Sequence, residues 1–380
     1  MSGDRTGVRA RILERIHRLG PLSFAHYLEM ALYDEGGFFA TGGGAGRRRD
    51  FLTSPEVGPL FATVMARALD AWWEELGRPD PMVVLEAGAG EGTLAAGIRR
   101  AAPACSSALR YVLVERSPTL RARQGDHLAL EPPSAVLATT GDPDEEGEAH
   151  PLAGTGPVFT SLAELPGPSV VGVVLANELL DDLPFLLLER GDGDWAEVRV
   201  GEAGGDLVEV LVPAAPQLAA EAGRLAPDAP EGGRIPLQHA ARAWLQDALA
   251  CLERGRVVVI DYADETASLA TRPWQDWVRT YRRHGRGGHP LAVPGAQDVT
   301  CEVAVDQLSV VRAASSDRSQ ADFLRSHGLD GMVEGARATW TEMAHRGDLP
   351  ALQARSLVGE AAALTDLTGL GAFRVLEWEV

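Results

Sequence analysis

Lysine is missing from this chain, so all 35 basic residues are arginine, set against 54 acidic residues. The net charge of -19 repels a phosphate backbone over most of the surface, which argues against nucleic acid as a substrate and makes a basic partner easier to accommodate. Cysteine is scarce. Cys105, Cys251 and Cys301 stand far apart with no C-x-x-C pair, a usage that suits a reducing cytoplasm and offers no zinc signature. The nine histidines contain no H-E-x-x-H, so a metal site would have to be assembled from distant residues, and none is expected. Long apolar runs are also absent: nothing approaches the roughly 20 residues that span a bilayer. The start, Met1-Ser2-Gly3-Asp4-Arg5, lacks the apolar segment of a secretory signal. The expectation is a cytoplasmic protein without a membrane partner, and a composition rich in Ala, Arg and Gly points to a GC-rich bacterial genome. The 45% hydrophobic content over 380 residues is enough for one large α/β domain with insertions, or for two domains.

The most informative segment is Val83-Val84-Leu85-Glu86-Ala87-Gly88-Ala89-Gly90-Glu91-Gly92-Thr93-Leu94. An apolar run ends in three alternate glycines and then turns helical in pattern. Without side chains at Gly88, Gly90 and Gly92 the backbone can turn sharply after a strand and approach a ligand closely. A dinucleotide fingerprint needs glycine at the first, third and sixth positions of the loop, the last for close helix packing, and here the sixth position is Thr93. The G-x-G-x-G spacing after the acidic Glu86 instead resembles the first motif of class I S-adenosylmethionine (SAM) methyltransferases. A second apolar run, Tyr111-Val112-Leu113-Val114, ends in Glu115, 23 positions after Gly92. In a βαβ unit that carboxylate stands at the tip of the neighbouring strand, where it can accept hydrogen bonds from both ribose hydroxyls of an adenosine cofactor.

Helical periodicity covers residues 8–19, and Ser23 caps a second helix beginning at Phe24. A long helix is expected from about 59 to 76. Apolar runs at 82–87, 110–115, 134–138, 170–176 and 256–260 alternate with helical patterns, which argues for a doubly wound, mostly parallel sheet. Segments 184–189, 195–200 and 207–212 have hairpin character and form a small antiparallel insertion. Residues 141–157 and 213–233 are expected to be loops, as is the basic stretch 279–289. Helices from 319 to about 359 precede a last strand at 372–378. The division expected is an N-terminal helical extension with a cofactor-covering segment (1–80) and a core (81–380), the core carrying a β-hairpin insertion at about 184–235 and a loop and helix insertion at about 262–300.

Several pieces together resemble one family, the SAM-dependent methyltransferases called mitochondrial dysfunction protein A, known in mitochondria as an assembly factor of respiratory complex I. They are Asp50-Phe51-Leu52-Thr53-Ser54-Pro55-Glu56, the glycine loop, Val114-Glu115-Arg116-Ser117-Pro118-Thr119-Leu120, Ala176-Asn177-Glu178-Leu179-Leu180-Asp181-Asp182-Leu183-Pro184, Val259-Ile260-Asp261-Tyr262 and Asp298-Val299-Thr300. The fourth, of the type A-N-E-x-x-D-x-L-P after a strand, is the most specific. The resemblance implies a class I methyltransferase fold with a mostly parallel seven-stranded sheet, SAM as cofactor, and protein arginine methylation in the mitochondrial members. It also implies that Glu115 and Ser117 contact the cofactor, and that Asp50, Thr53, Pro55 and Glu56 belong to a segment folded over it. The chain departs from the family at Glu91, where relatives often carry arginine, at Thr160, where an aromatic residue is common, and in the looser segment from Cys301 to Asp306.

Methyl transfer from a sulfonium is an in-line displacement, and positioning alone can supply about 7–11 kcal/mol in well-oriented systems. If the acceptor is a guanidinium, carboxylates can hold it bidentately and stabilise its charge. Glu178 and Asp181 are the candidates for that role, with Asn177 as a polar positioning group. They follow a strand beside the glycine loop, where open parallel sheets bind ligands. The structural alternative is that Asn177 and Asp181 cap the next helix while Glu178 is solvated. Tyr262, beyond the last core run, is expected to be a packing residue. The expected activity is methylation of a protein or peptide side chain. The alternatives are a methyltransferase for a small metabolite and a SAM-binding scaffold without catalysis.

Overall fold

The computed structural model describes residues 5–44, 53–137, 154–167, 169–283, 285–345 and 347–380. Seven strands build the central sheet: β1 (Met82–Ala87), β2 (Leu109–Val114), β3 (Val158–Leu162), β4 (Val170–Asn177), β5 (Leu252–Asp261), β6 (Ser316–Ser319) and β7 (Arg374–Glu379). Their order across the sheet is β6-β7-β5-β4-β1-β2-β3. Strand β1 runs parallel to β2 and β4, β3 is parallel to β2, and β5 is parallel to β4. Strand β7 is antiparallel to both β5 and β6. Every residue of β1 and β2 is buried, as unbroken apolar runs require when helices cover both faces of a parallel sheet.

Side chains alternate between the two faces. Val84, Tyr111, Val173 and Val258 pack under helices α1 (Pro59–Glu75) and α2 (Thr93–Ala101). Val83, Leu85, Val112, Val174 and Val257 face α3 (His239–Ala250). The chain crosses from one side of β1 to the other between β3 and β4, so the strand order reverses between β1 and β4. That switch point opens a crevice at the carboxyl ends of the strands, and the glycine loop lies in it.

Four antiparallel strands, Leu186–Arg190, Trp195–Ala203, Asp206–Pro213 and Arg234–Leu237, form the insertion that follows β4. Gly204 and Gly205, with φ of +60° and +88°, make the two-residue turn that suits the strand twist. The two residues Leu22–Ser23 add to this sheet along Trp195–Ala203. Ser23 caps the helix Phe24–Leu28 by accepting from the His26 N–H at 3.2 Å. Val8, Ile12, Phe24 and Tyr27 share a buried cluster with Phe185, Leu187 and Trp277, so the N-terminal helices and the insertions have one common core. Among the described residues no helix is long and apolar enough to cross a membrane.

The structure corrects three local expectations. Residues 134–137 are a short helix, Ser134–Leu137, because Pro132 and Pro133 start a helical turn whose Pro133 carbonyl accepts from Val136 and Leu137. The sheet takes Val158–Leu162 as its third strand instead. The stretch 213–233 contains the helix Pro216–Leu225, while 138–153 lies outside the described residues. The basic stretch after Trp277 is not a solvated loop: Val278–Arg282 pairs with Asp298–Cys301, and Arg279 donates to Glu302 at 2.6 Å.

Candidate functional site

A cavity of about 630 Å³ occupies the crevice beyond β1, β2 and β4, a size within the usual range for ligand sites. The glycine loop forms its floor. Gly88, Gly90 and Gly92 all have left-handed φ, at +71°, +53° and +83°. A Cβ on Gly92 would meet Leu113 at 2.9 Å and one on Gly88 would meet Leu179 at 2.9 Å, whereas none of the atoms around Gly90 lies within 4 Å. The outer glycines therefore allow the loop to pack, and the middle one leaves room at the cavity.

Glu115, at the end of β2, lies on the cavity wall and is 9% exposed. Its Oε2 accepts from the Gly90 N–H at 2.9 Å and its Oε1 from the Ser117 N–H at 2.7 Å. A carboxylate has about four acceptor positions, and these contacts do not exhaust them. Burial pushes its carboxyl up, against the lowering effect of the Ser117 and Gly90 amides. Glu86 is buried on the same wall and accepts from the Tyr111 hydroxyl at 2.9 Å. Burial pushes it up to about 8, opposed by the Tyr111 hydroxyl and assisted by the charge of Glu115.

Thr53, Pro55 and Glu56 also line the cavity. Thr53 occupies the N-cap position of Ser54–Val57 without a side-chain capping bond, and Glu56 accepts from the Thr93 hydroxyl at 2.8 Å. Ser117 is off the wall. Its hydroxyl donates to the Phe39 carbonyl at 2.8 Å and accepts from the Leu120 N–H at 3.3 Å, capping Pro118–Gln124. Asp50 lies outside the described residues.

At the end of β4, Glu178 adopts a left-handed φ of +52°, a conformation costly for a residue with a Cβ. Its N–H donates to the Ile260 carbonyl at 2.8 Å, and its Oε1 accepts from the Ser54 N–H at 2.9 Å and the Asn177 amide at 3.1 Å. Glu178 is therefore not a free surface carboxylate: it is half-buried on the cavity wall, and its Oε1 ties Ser54 to the end of the sheet. Burial pushes it up to about 8, and the nearby Asp181 adds to this. No long helix follows for Asn177 and Asp181 to cap; the turn is the short 3-10 segment Leu180–Asp182. Its shape is held by Asp261, which accepts from the Leu180 N–H at 2.9 Å and the Asp181 N–H at 3.2 Å. Asn177 and Glu178 line the cavity together with Asp182, whereas Asp181 stands behind the wall. Burial raises the Asp181 carboxyl to about 7.

The N-terminal segment closes one side. The Tyr33 hydroxyl donates to the Asp182 carbonyl at 3.0 Å, its ring stacks on Phe39 at 5.5 Å, and the Arg116 guanidinium lies 4.6 Å over the same ring while pairing with Glu29.

A sequence model of S-adenosyl-L-methionine-dependent methyltransferases matches residues 64–323 of the chain. The chain belongs to this methyltransferase family. Among curated relatives, the mitochondrial protein arginine methyltransferase NDUFAF7 homolog of Drosophila melanogaster is 27% identical over 309 residues, covering 78% of this chain and 67% of the relative. The mitochondrial protein arginine methyltransferase NDUFAF7 of Danio rerio is 25% identical over 361 residues, covering 88% and 79%. Among solved structures, a Burkholderia thailandensis superfamily member bound to S-adenosyl-homocysteine superposes with a TM-score of 0.78 at 28% identity, covering 99% of this chain and 92% of that one.

The methyltransferase uses SAM, and its residues suit that cofactor: the open side of Gly90, the unspent acceptor positions of Glu115, and the cavity between them. The Glu91 that replaces an expected arginine accepts from Arg123 at 2.6 Å, and Thr160 is buried, its hydroxyl donating to the Glu131 carbonyl at 2.8 Å. Tyr262 packs on Phe373, ring centres 4.0 Å apart. Wall residues not anticipated from sequence include Tyr33, Phe39, Arg116, Asp182 and Trp244. Arg116 and Asp182 each adjoin a residue that motif logic had singled out. Tyr33, Phe39 and Trp244 come from elements far away in sequence and carried no local signal.

Proposed function

We propose that this methyltransferase acts on an arginine guanidinium of a protein or peptide. The observation that carries the reading is the group of buried or half-buried carboxyls gathered at the end of β4, where Glu178 and Asp182 line the cavity and Asp181 and Asp261 stand behind them. Burial raises the proton affinity of all four, and the charges of Glu178, Asp181 and Asp261 add to this at Asp182. Such a set favours a cationic, multiply donating group over a neutral one. The names of the NDUFAF7 relatives point the same way.

SAM supplies the electrophilic methyl group. The protein has to hold a guanidinium nitrogen in line, exclude water and receive a proton. Glu178 and Asn177 hold the acceptor from the cavity wall, and Asp181 and Asp261 behind them keep the turn in shape. A Glu178 carboxyl with a proton affinity near neutrality is matched to taking up the proton that leaves the nitrogen.

The test is transfer of radiolabelled methyl groups onto arginine peptides, lysine peptides and a small-metabolite extract. Label confined to arginine is expected, and label in the metabolite fraction alone would replace this reading with a small-molecule one. Glu178→Gln keeps an Oε1 acceptor for Ser54. It is therefore expected to retain SAM affinity while turnover falls by about 10²-fold or more; unchanged turnover would remove Glu178 from the mechanism.

A further inference from the structure

Asp182 falls at a variable position of the A-N-E-x-x-D-x-L-P motif, yet it is the aspartate that reaches the cavity. It is 9% exposed and lies on the wall with Asn177 and Glu178. Its Oδ1 and the Asn177 Oδ1 are both buried with no hydrogen-bond partner among the described residues. The main chain around it is fixed, because the Asp182 carbonyl accepts from Tyr33 and the Asp182 N–H donates to the Leu179 carbonyl at 3.3 Å. A buried carboxylate oxygen without a donor destabilises a fold.

The surroundings do not relieve it. Asp298 on the neighbouring strand, Asp181 and Glu178 on the same turn and Asp261 at the end of β5 all act on Asp182 as like charges. The Tyr33 hydroxyl is committed to the main chain. Arg116 is engaged with Glu29 and the Tyr33 ring, and Arg279 with Glu302 and the Asp276 carbonyl. Among the described residues no donor completes Asp182, and the cavity beside it can admit one.

Resting on the reading of a guanidinium acceptor, we propose that Asp182 is the specificity-determining carboxylate of the acceptor pocket, where it and the Asn177 Oδ1 receive the N–H donors of the incoming cation. A guanidinium offers five such donors in a rigid fork and always carries its charge. Asp181 then shapes the turn rather than touching the acceptor.

The experiment titrates acetyl-arginine methylamide and its neutral isostere acetyl-citrulline methylamide into protein saturated with S-adenosyl-homocysteine. Wild type is expected to bind the arginine compound at least tenfold more tightly than the citrulline one. In Asp182→Asn, and in Asp182→Ala as a second variant, that ratio falls to near one. Affinity for S-adenosyl-homocysteine stays within twofold, and the melting temperature is unchanged or higher, since a buried uncompensated charge has been removed. A wild-type preference that survives in both variants overturns the role of Asp182 and leaves the guanidinium reading standing. No preference in wild type overturns the guanidinium reading, and the role of Asp182 with it.

Discussion

Glu115 holds two backbone N–H groups before any ligand arrives, a structural duty beyond the ribose contact expected of it. Its carboxylate bridges Gly90 in the glycine loop and Ser117 at the start of the next helix, so the same side chain shapes the loop and faces the cavity. Glu115→Ala removes a charged acceptor and leaves two amides without their partner. SAM binding is expected to weaken by about 1.5–3 kcal/mol, which calorimetric titration would read directly. An unchanged dissociation constant would mean that the ribose hydroxyls are held elsewhere. The glycine spacing and the acid at a strand tip made this part of the site legible, because both are set by local geometry within one βαβ unit. Ser117 shows the limit of that reasoning. Its position in a family-like segment is real, but its hydroxyl is spent on the Phe39 carbonyl and the Leu120 N–H, a fact decided by a chain segment 78 residues away.

Elements were legible where burial is complete and illegible where it is not. Strands β1, β2, β4 and β5 lie inside the sheet, and their apolar runs are close to continuous. Strand β3 is the edge strand beside β2, its outer side met by a single bridge from Leu130 to Phe159, and the polar Thr160 and Ser161 interrupt its pattern, while Ser134-Ala135-Val136-Leu137 copies a short strand in composition and is helical because two prolines precede it. The N-terminal helices pose a different problem, since their apolar faces give no hint of what they meet. They meet the insertion: Phe24 is fully buried, with its ring 5.4 Å from Phe185 and 5.9 Å from Tyr27. Phe24→Ala is expected to cost about 3–5 kcal/mol. Because this cluster is distinct from those of the parallel sheet, amide exchange should accelerate at Leu187 and Val198 while Val84 and Val112 remain protected. Equal loss of protection at all four would show that the clusters open as one unit.

Across the whole molecule, the net charge of -19 acts at a range that the cavity carboxyls do not. Exposed acidic residues set up a field that attracts a cationic peptide from solution and is screened over roughly 10 Å at 0.1 M salt. Contacts made inside the cavity are shielded from that screening by their burial. On the proposed reading the two contributions separate kinetically: the outer field governs how fast a basic peptide arrives, and the buried carboxyls govern how long it stays. With protein saturated in S-adenosyl-homocysteine and a short arginine peptide as the analyte, raising salt from 50 to 500 mM is expected to lower the association rate about tenfold and to change the dissociation rate by less than twofold. The same peptide with citrulline in place of its arginine, its other charges kept, should show a weaker salt dependence of association, in step with the one charge lost, and dissociate faster. A dissociation rate that rises steeply with salt would place the arginine contacts on the exposed rim, and the buried carboxyls around Glu178 would then hold the turn together without gripping the acceptor.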